Sequence, residues 1–149
     1  MRQAALAGTL VLGALAAGCA GSEPRALDLG TATLCFRDAL ADGADGRGCL
    51  PVLAEPCAEA VPDARGGCLD DLALAFAARA RARVVAVAPF YSESDHAQLR
   101  AGLEERLVAR ARCAASPLPP ACRLHLTALL AYLVEFQPEH FIAAPEAEV

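Results

Sequence analysis

The sequence predicts an all-α fold, a small bundle of about four helices stapled by disulfides. Two observations carry that expectation. Apolar residues recur at three- and four-residue steps in separate stretches joined by short links, which is the spacing of a helix face. Seven cysteines occur in 149 residues, enough to supplement a modest core with covalent bridges. The length is that of one domain, and 56% hydrophobic against 21% charged residues is too apolar for a disordered chain. A net charge of −5 argues against a nucleic-acid partner, because phosphate binding calls for net positive charge. All thirteen basic residues are Arg; Lys, Asn and Trp are missing, and Ile142 is the sole isoleucine. That pattern reads as the coding bias of a GC-rich genome, so Arg in place of Lys is no sign of selected guanidinium chemistry.

The helical domain is expected over residues 29–138. Its first helix reads from Leu29 to Leu40, with Leu34, Arg37 and Ala41 on an imperfect face. Asp42 to Arg65 holds three Pro and three Gly and reads as a loop pinned by disulfides. A second helix spans about Leu69 to Ala86, with Asp70 and Asp71 in its first turn, where negative charge suits the helix dipole. Pro89 stops it. Arg79 to Val87 also alternates like a strand; helix is preferred because Ala and Arg are strong helix formers, with Val84 to Phe90 open to an extended form. The third helix has the clearest signals. Ser92 and Asp95 form a capping box, and His96, Leu99, Leu103, Leu107 and Ala111 make an apolar stripe. Arg110 and Arg112 sit in its last turn. The fourth begins near Pro120, buries Cys122, Leu126, Leu129, Leu130, Leu133 and Phe136, and stops at Pro138. Residues 139–149 read as a frayed acidic tail. No internal repeat is present, and Leu126 to Val134 is too short and interrupted to span a bilayer.

Residues 1–19 read as an address. Arg2 supplies a short positive region, and Ala4 to Ala17 then runs fourteen residues without a charge, the length of a signal-peptide core rather than a membrane span. The run Leu15-Ala16-Ala17-Gly18-Cys19 resembles the lipobox of bacterial prolipoproteins, over these first nineteen residues only. Ala16 stands where that family usually has Leu, with Leu15 one step earlier. The resemblance implies cleavage before Cys19 and transfer of a diacylglyceryl group to its thiol. Residues 1–18 would then be a signal peptide, and 19–28 a lipidated cysteine and flexible tether. The covalent lipid on Cys19 is the one cofactor expected, and several acyl chains would make the anchor permanent. Ala20, rather than Asp, after the cysteine favours the outer membrane in a Gram-negative cell. Removing residues 1–18 takes away Arg2 and leaves twelve Arg against eighteen acidic residues, a net charge of −6.

With Cys19 taken by lipid, Cys35, Cys49, Cys57, Cys68, Cys113 and Cys122 remain, the count for three disulfides in an oxidising compartment. Fifteen pairings are possible, and neighbours are expected to pair. Cys113–Cys122 would close Ala-Ala-Ser-Pro-Leu-Pro-Pro-Ala between two helices. Cys35–Cys49 would close the Gly-rich segment 42–48, and Cys57–Cys68 the Pro/Gly segment 61–67. Each closure contributes about 2–4 kcal/mol.

Signals for chemistry are sparse. Ser94-Asp95-His96 are triad residue types, but consecutive helix positions point about 100° apart and cannot line up for proton relay. Cys113, Cys122 and His125 are metal-ligand types, yet no Cys-x-x-Cys pair is present, so neither a metal site nor a thioredoxin-like role is expected. Arg79, Arg81 and Arg83 form a local +3 in an acid-free window from Leu72 to Ser92. They read either as a contact for anionic lipid head groups or an acidic partner, or as a solvated helix face. Phe76, Phe90 and Tyr91 read as packing residues, and no phosphate loop, His-Glu-x-x-His or Gly-x-Ser-x-Gly occurs. The expected function is that of a non-enzymatic envelope lipoprotein that docks to another envelope protein. The alternative is an apolar small-molecule binder with a cavity between helices. An enzyme is the third option, with His96 or His125 the first places to look.

Overall fold

A computed structural model describes residues 27–143. The signal-peptide reading over 1–18, Cys19, most of the tether and the last six residues of the tail lie outside the described residues, as do the side chains of 110–112. The chain is all-α: five α-helices linked by 3₁₀ turns, with no strand among the described residues. Three disulfides join sequence neighbours, Cys35–Cys49, Cys57–Cys68 and Cys113–Cys122.

Helix α1 runs Leu29–Ala41. Asp28 caps it, accepting the Thr31 N–H at 3.0 Å on one carboxylate oxygen and the Thr31 hydroxyl at 2.7 Å on the other. These bonds hold the Asp28 carboxyl below its usual range. Its buried face is Ala32, Phe36 and Leu40. The expected face of Leu34, Arg37 and Ala41 is instead the solvent side, with Leu34 51% exposed. Phe36 carries the most apolar area on this helix and brings its i±4 neighbours inward with it.

The segment read as a loop is largely helical. It contains a 3₁₀ turn at Arg47–Cys49, helix α2 at Leu50–Ala54 and another 3₁₀ turn at Glu55–Cys57. Pro51, Pro56 and Pro62 each stand at the first or second position of an element, where the missing N–H has no partner to lose. The prolines start helices here rather than breaking them. The tight turn before Arg47 needs glycine. Gly46 has φ +68°, and a Cβ there would overlap the ring of buried Phe36. Gly46→Ala is expected to cost about 2–4 kcal/mol, from the left-handed backbone and from overpacking together, read as a lower urea midpoint.

Helix α3 runs Pro62–Val87, beginning two turns before the expected Leu69. Asp63 occupies its first turn, and Asp70 instead receives two hydrogen bonds from Arg123, at 2.7 and 2.9 Å. The Gly66-Gly67 pair lowers local helix propensity by about 1 kcal/mol per residue, which hides this start in the sequence. Residues 79–87 are helical, so the strand-like alternation there is not expressed.

Helix α4 spans Glu93–Val108, capped by the Ser92 hydroxyl accepting the Asp95 N–H at 3.1 Å. Leu99, Leu103 and Leu107 face the core. The helix ends before Arg110 and Arg112 and tightens into a 3₁₀ stretch, Ala109–Ala115.

Helix α5, Pro119–Phe136, is the centre of the molecule and packs most extensively on α3. None of its residues is exposed. Leu124, His125, Thr127, Ala128, Leu130, Ala131, Tyr132 and Val134 are buried, whereas of the expected face only Leu130 is fully so. A mostly apolar helix with no exposed residue gives little contrast in its sequence from which to choose a face. Tyr132 is the hub: its ring stacks on Phe36 at 4.7 Å and meets Phe76 at 5.9 Å and Phe136 at 6.1 Å.

Packing continues past the expected end at Pro138. A 3₁₀ turn, Pro138–Phe141, buries Phe141 against Gly102 and beneath the Arg106 guanidinium, 4.6 Å from the ring centre. The Ala143 N–H donates to Gln98 Oε1 at 3.0 Å. The first five residues of the supposed tail therefore belong to the domain.

Candidate functional site

The three arginines singled out in the sequence are placed on α3, and two of them are already engaged. Arg79 donates to Glu135 Oε2 of α5 at 2.9 Å, with its guanidinium 5.6 Å from the Tyr132 ring centre. Arg81 makes a two-point pair with Glu104 of α4, at 2.6 and 2.9 Å, and these bonds hold the Glu104 carboxyl below its usual range. Arg83 is exposed and has no acidic partner among the described residues. The acid-free window is acid-free only along the chain. Glu104 and Glu135 arrive from neighbouring helices, which periodicity alone does not reveal.

Two of the three histidines, His96 and His125, act as structural donors. His96 Nε2 lies 2.9 Å from the Val84 carbonyl, tying the start of α4 to the end of α3. His125, 6% exposed, places Nε2 2.8 Å from the Asp45 carbonyl and so anchors the turn around Gly46 to the central helix. In both cases the carbonyl accepts, so Nε2 carries the proton. Ser94, Asp95 and His96 serve different partners: Ser94 accepts from Gln98 Nε2 at 3.5 Å, and Asp95 offers its N–H to the Ser92 cap. The Cys113 and Cys122 sulfurs are bonded to each other, so with His125 they offer no thiolate to a metal. Among the described residues no group of three His, Cys, Asp or Glu side chains converges as a metal site.

A concavity lies beside His125. A groove of about 440 Å³ is walled by Leu50, Leu118, Ala121, Cys122 and Leu126, with Arg47 and Ser116 at its margin. Asp45 borders it. The Arg47 N–H at 2.9 Å, the Arg47 guanidinium at 3.4 Å and the charge of His125 hold the Asp45 carboxyl below its usual range. The groove is not legible in the sequence, because its walls come from two stretches far apart in the chain, 47–50 and 116–126.

Tyr132 is a fully buried titratable group at the centre of the core. Burial pushes its phenol above the ordinary range, opposed by the Thr33 hydroxyl at 3.2 Å and by Arg79. A raised pKa in the folded state means a stabilising contribution that is complete below about pH 10 and is lost as pH rises through the folded value. The chain has no Lys, and the six described cysteines are bonded, so neither an ammonium nor a thiol of these residues masks that loss. Tyr132→Phe is expected to cost about 1 kcal/mol at neutral pH and to flatten the alkaline loss of stability, checked by urea melts at neutral and alkaline pH.

The fold and its bonds define a class, a disulfide-stapled all-α bundle built around one central helix. No protein family, no characterised protein and no solved structure matches this chain.

Proposed function

We propose that this chain is a lipid-anchored protein of the bacterial envelope that works by docking to another envelope protein rather than by catalysis. The parity of the cysteines carries the reading. Six of the seven are bonded in three pairs, and the one left over is Cys19, the residue that the lipobox-like run would present for acylation. Disulfides persist outside the reducing cytosol, so both features favour the same side of the membrane. The anchor would be the acyl group, since no helix among the described residues is long and apolar enough to cross a membrane. Ala20 favours the outer membrane in a Gram-negative cell. The side chains singled out for chemistry are occupied in holding the fold: His96 and His125 by backbone carbonyls, Arg79 and Arg81 by acids. The test is cross-linking in intact cells followed by mass spectrometry. Reproducible capture of one envelope protein other than this chain is the expected result; recovery of lipid alone contradicts it.

The groove beside His125 favours a second reading, a small apolar ligand. Its volume of about 440 Å³ falls in the size range of ligand sites, and its walls are mostly aliphatic. Native mass spectrometry of the isolated protein separates the two: a retained small molecule supports the ligand, and a clean apo mass supports docking.

A further inference from the structure

Helix α3 carries two seams. One, through Leu69, Ala73, Phe76, Ala80, Val84 and Val87, is buried in the bundle. The other runs through Gly67, Asp71, Leu74, Ala78, Arg81 and Val85, and every one of these residues is exposed. Their spacing is four, three, four, three, four, the heptad repeat by which one helix packs against another over about 27 Å. Leu74 is 56% exposed and Val85 72%, large apolar side chains on a face that none of the described residues covers.

We propose that this outward seam is a homodimer interface in which α3 pairs antiparallel with α3 of a second copy. The pattern is complementary to itself in that orientation. A two-fold axis that sets Leu74 against Ala78 of the second copy also sets Val85 against Gly67, a large residue over a small one in each layer. The same axis sets Asp71 against Arg81. Arg81 is held in place by its two bonds to Glu104, and Asp71 has no partner among the described residues. The small residues bracketing the seam, Ala75 and Ala82, allow the helix axes to approach closely. A parallel pairing would place Asp71 on Asp71 and Arg81 on Arg81, so charge selects the antiparallel form. A second copy is therefore the occupant that fits this face in both shape and charge.

Sedimentation equilibrium of the full chain as isolated, in density-matched detergent, is expected to give twice the protomer mass. Leu74→Glu and Val85→Glu are each expected to weaken the dimer roughly a hundredfold, since each change enters the symmetric interface twice, with thermal melting monitored to show the bundle intact. Asp71→Arg and Arg81→Asp are each expected to dissociate the homodimer, and an equimolar mixture of the two to restore a dimer. A monomeric parent chain overturns the proposal. So does a dimer indifferent to Leu74→Glu and Val85→Glu, a mixture that fails to reassociate, or a seam protected only when a different envelope protein is present.

Discussion

Reduction of the three disulfides is expected to abolish the cooperative unfolding transition at 37 °C. The segment from Asp42 to Val61 consists of turns and a five-residue helix, too short to hold their shape alone. It contributes Leu53, Cys49 and Cys57 to the core, and two of the three bridges fasten it, one to α1 and one to α3. Each bridge contributes about 2–4 kcal/mol, and domains of this size have about 5–15 kcal/mol in total. Losing all three removes most or all of that margin. Circular dichroism melts with and without reductant check this, and the double variant Cys57→Ala/Cys68→Ala is expected to lose about 2–4 kcal/mol by itself. An unchanged midpoint after full reduction would mean that the α3–α5 packing carries the fold unaided.

Tyr132→Ala is the point substitution expected to do the most damage, about 3–5 kcal/mol. The side chain is fully buried at the meeting point of α1, α3 and α5, with Phe36, Phe76 and Phe136 around its ring and Arg79 over it. Truncation empties the place where three helices converge and takes away the hydroxyl partner of Thr33. Leu34→Ala, on the solvent side of α1, is expected to change stability by less than about 0.5 kcal/mol. Urea titrations of the pair compare the observed burial with the one periodicity suggests, because the sequence face through Leu34 would make it the costly site.

What could be read from the residues, and what could not, follows from where the chain carries contrast. The Ser92–Asp95 cap and the leucine steps of α4 alternate sharply with polar residues, and they fold as their pattern indicates. The neighbouring cysteines flank short links, and those links bring each pair together. In α1 and α5 the contrast is lost. Ala, Thr and Gly fill α1 so loosely that Phe36 alone decides its face, and α5 is mostly apolar with no exposed residue to mark a solvent side. Prolines misled in a different way. Pro51, Pro56 and Pro62 look like breakers in a list of residues, but position within an element decides whether a proline breaks or begins a helix. The arginine cluster shows the same dependence on distance along the chain: two of its charges are answered by acids 23 and 56 residues away.

One cysteine bearing lipid and six bearing each other is the arrangement that the proposed anchor and the stapled fold both require. The most direct measurement is intact-mass spectrometry of the protein taken from cell membranes and alkylated without prior reduction. The predicted product begins at Cys19, carries acyl mass on that residue, lacks the six hydrogens lost to three disulfides, and takes up no alkylating reagent. A chain that still carries residues 1–18, or one alkylated at Cys19 or at any of the six paired cysteines, would contradict it.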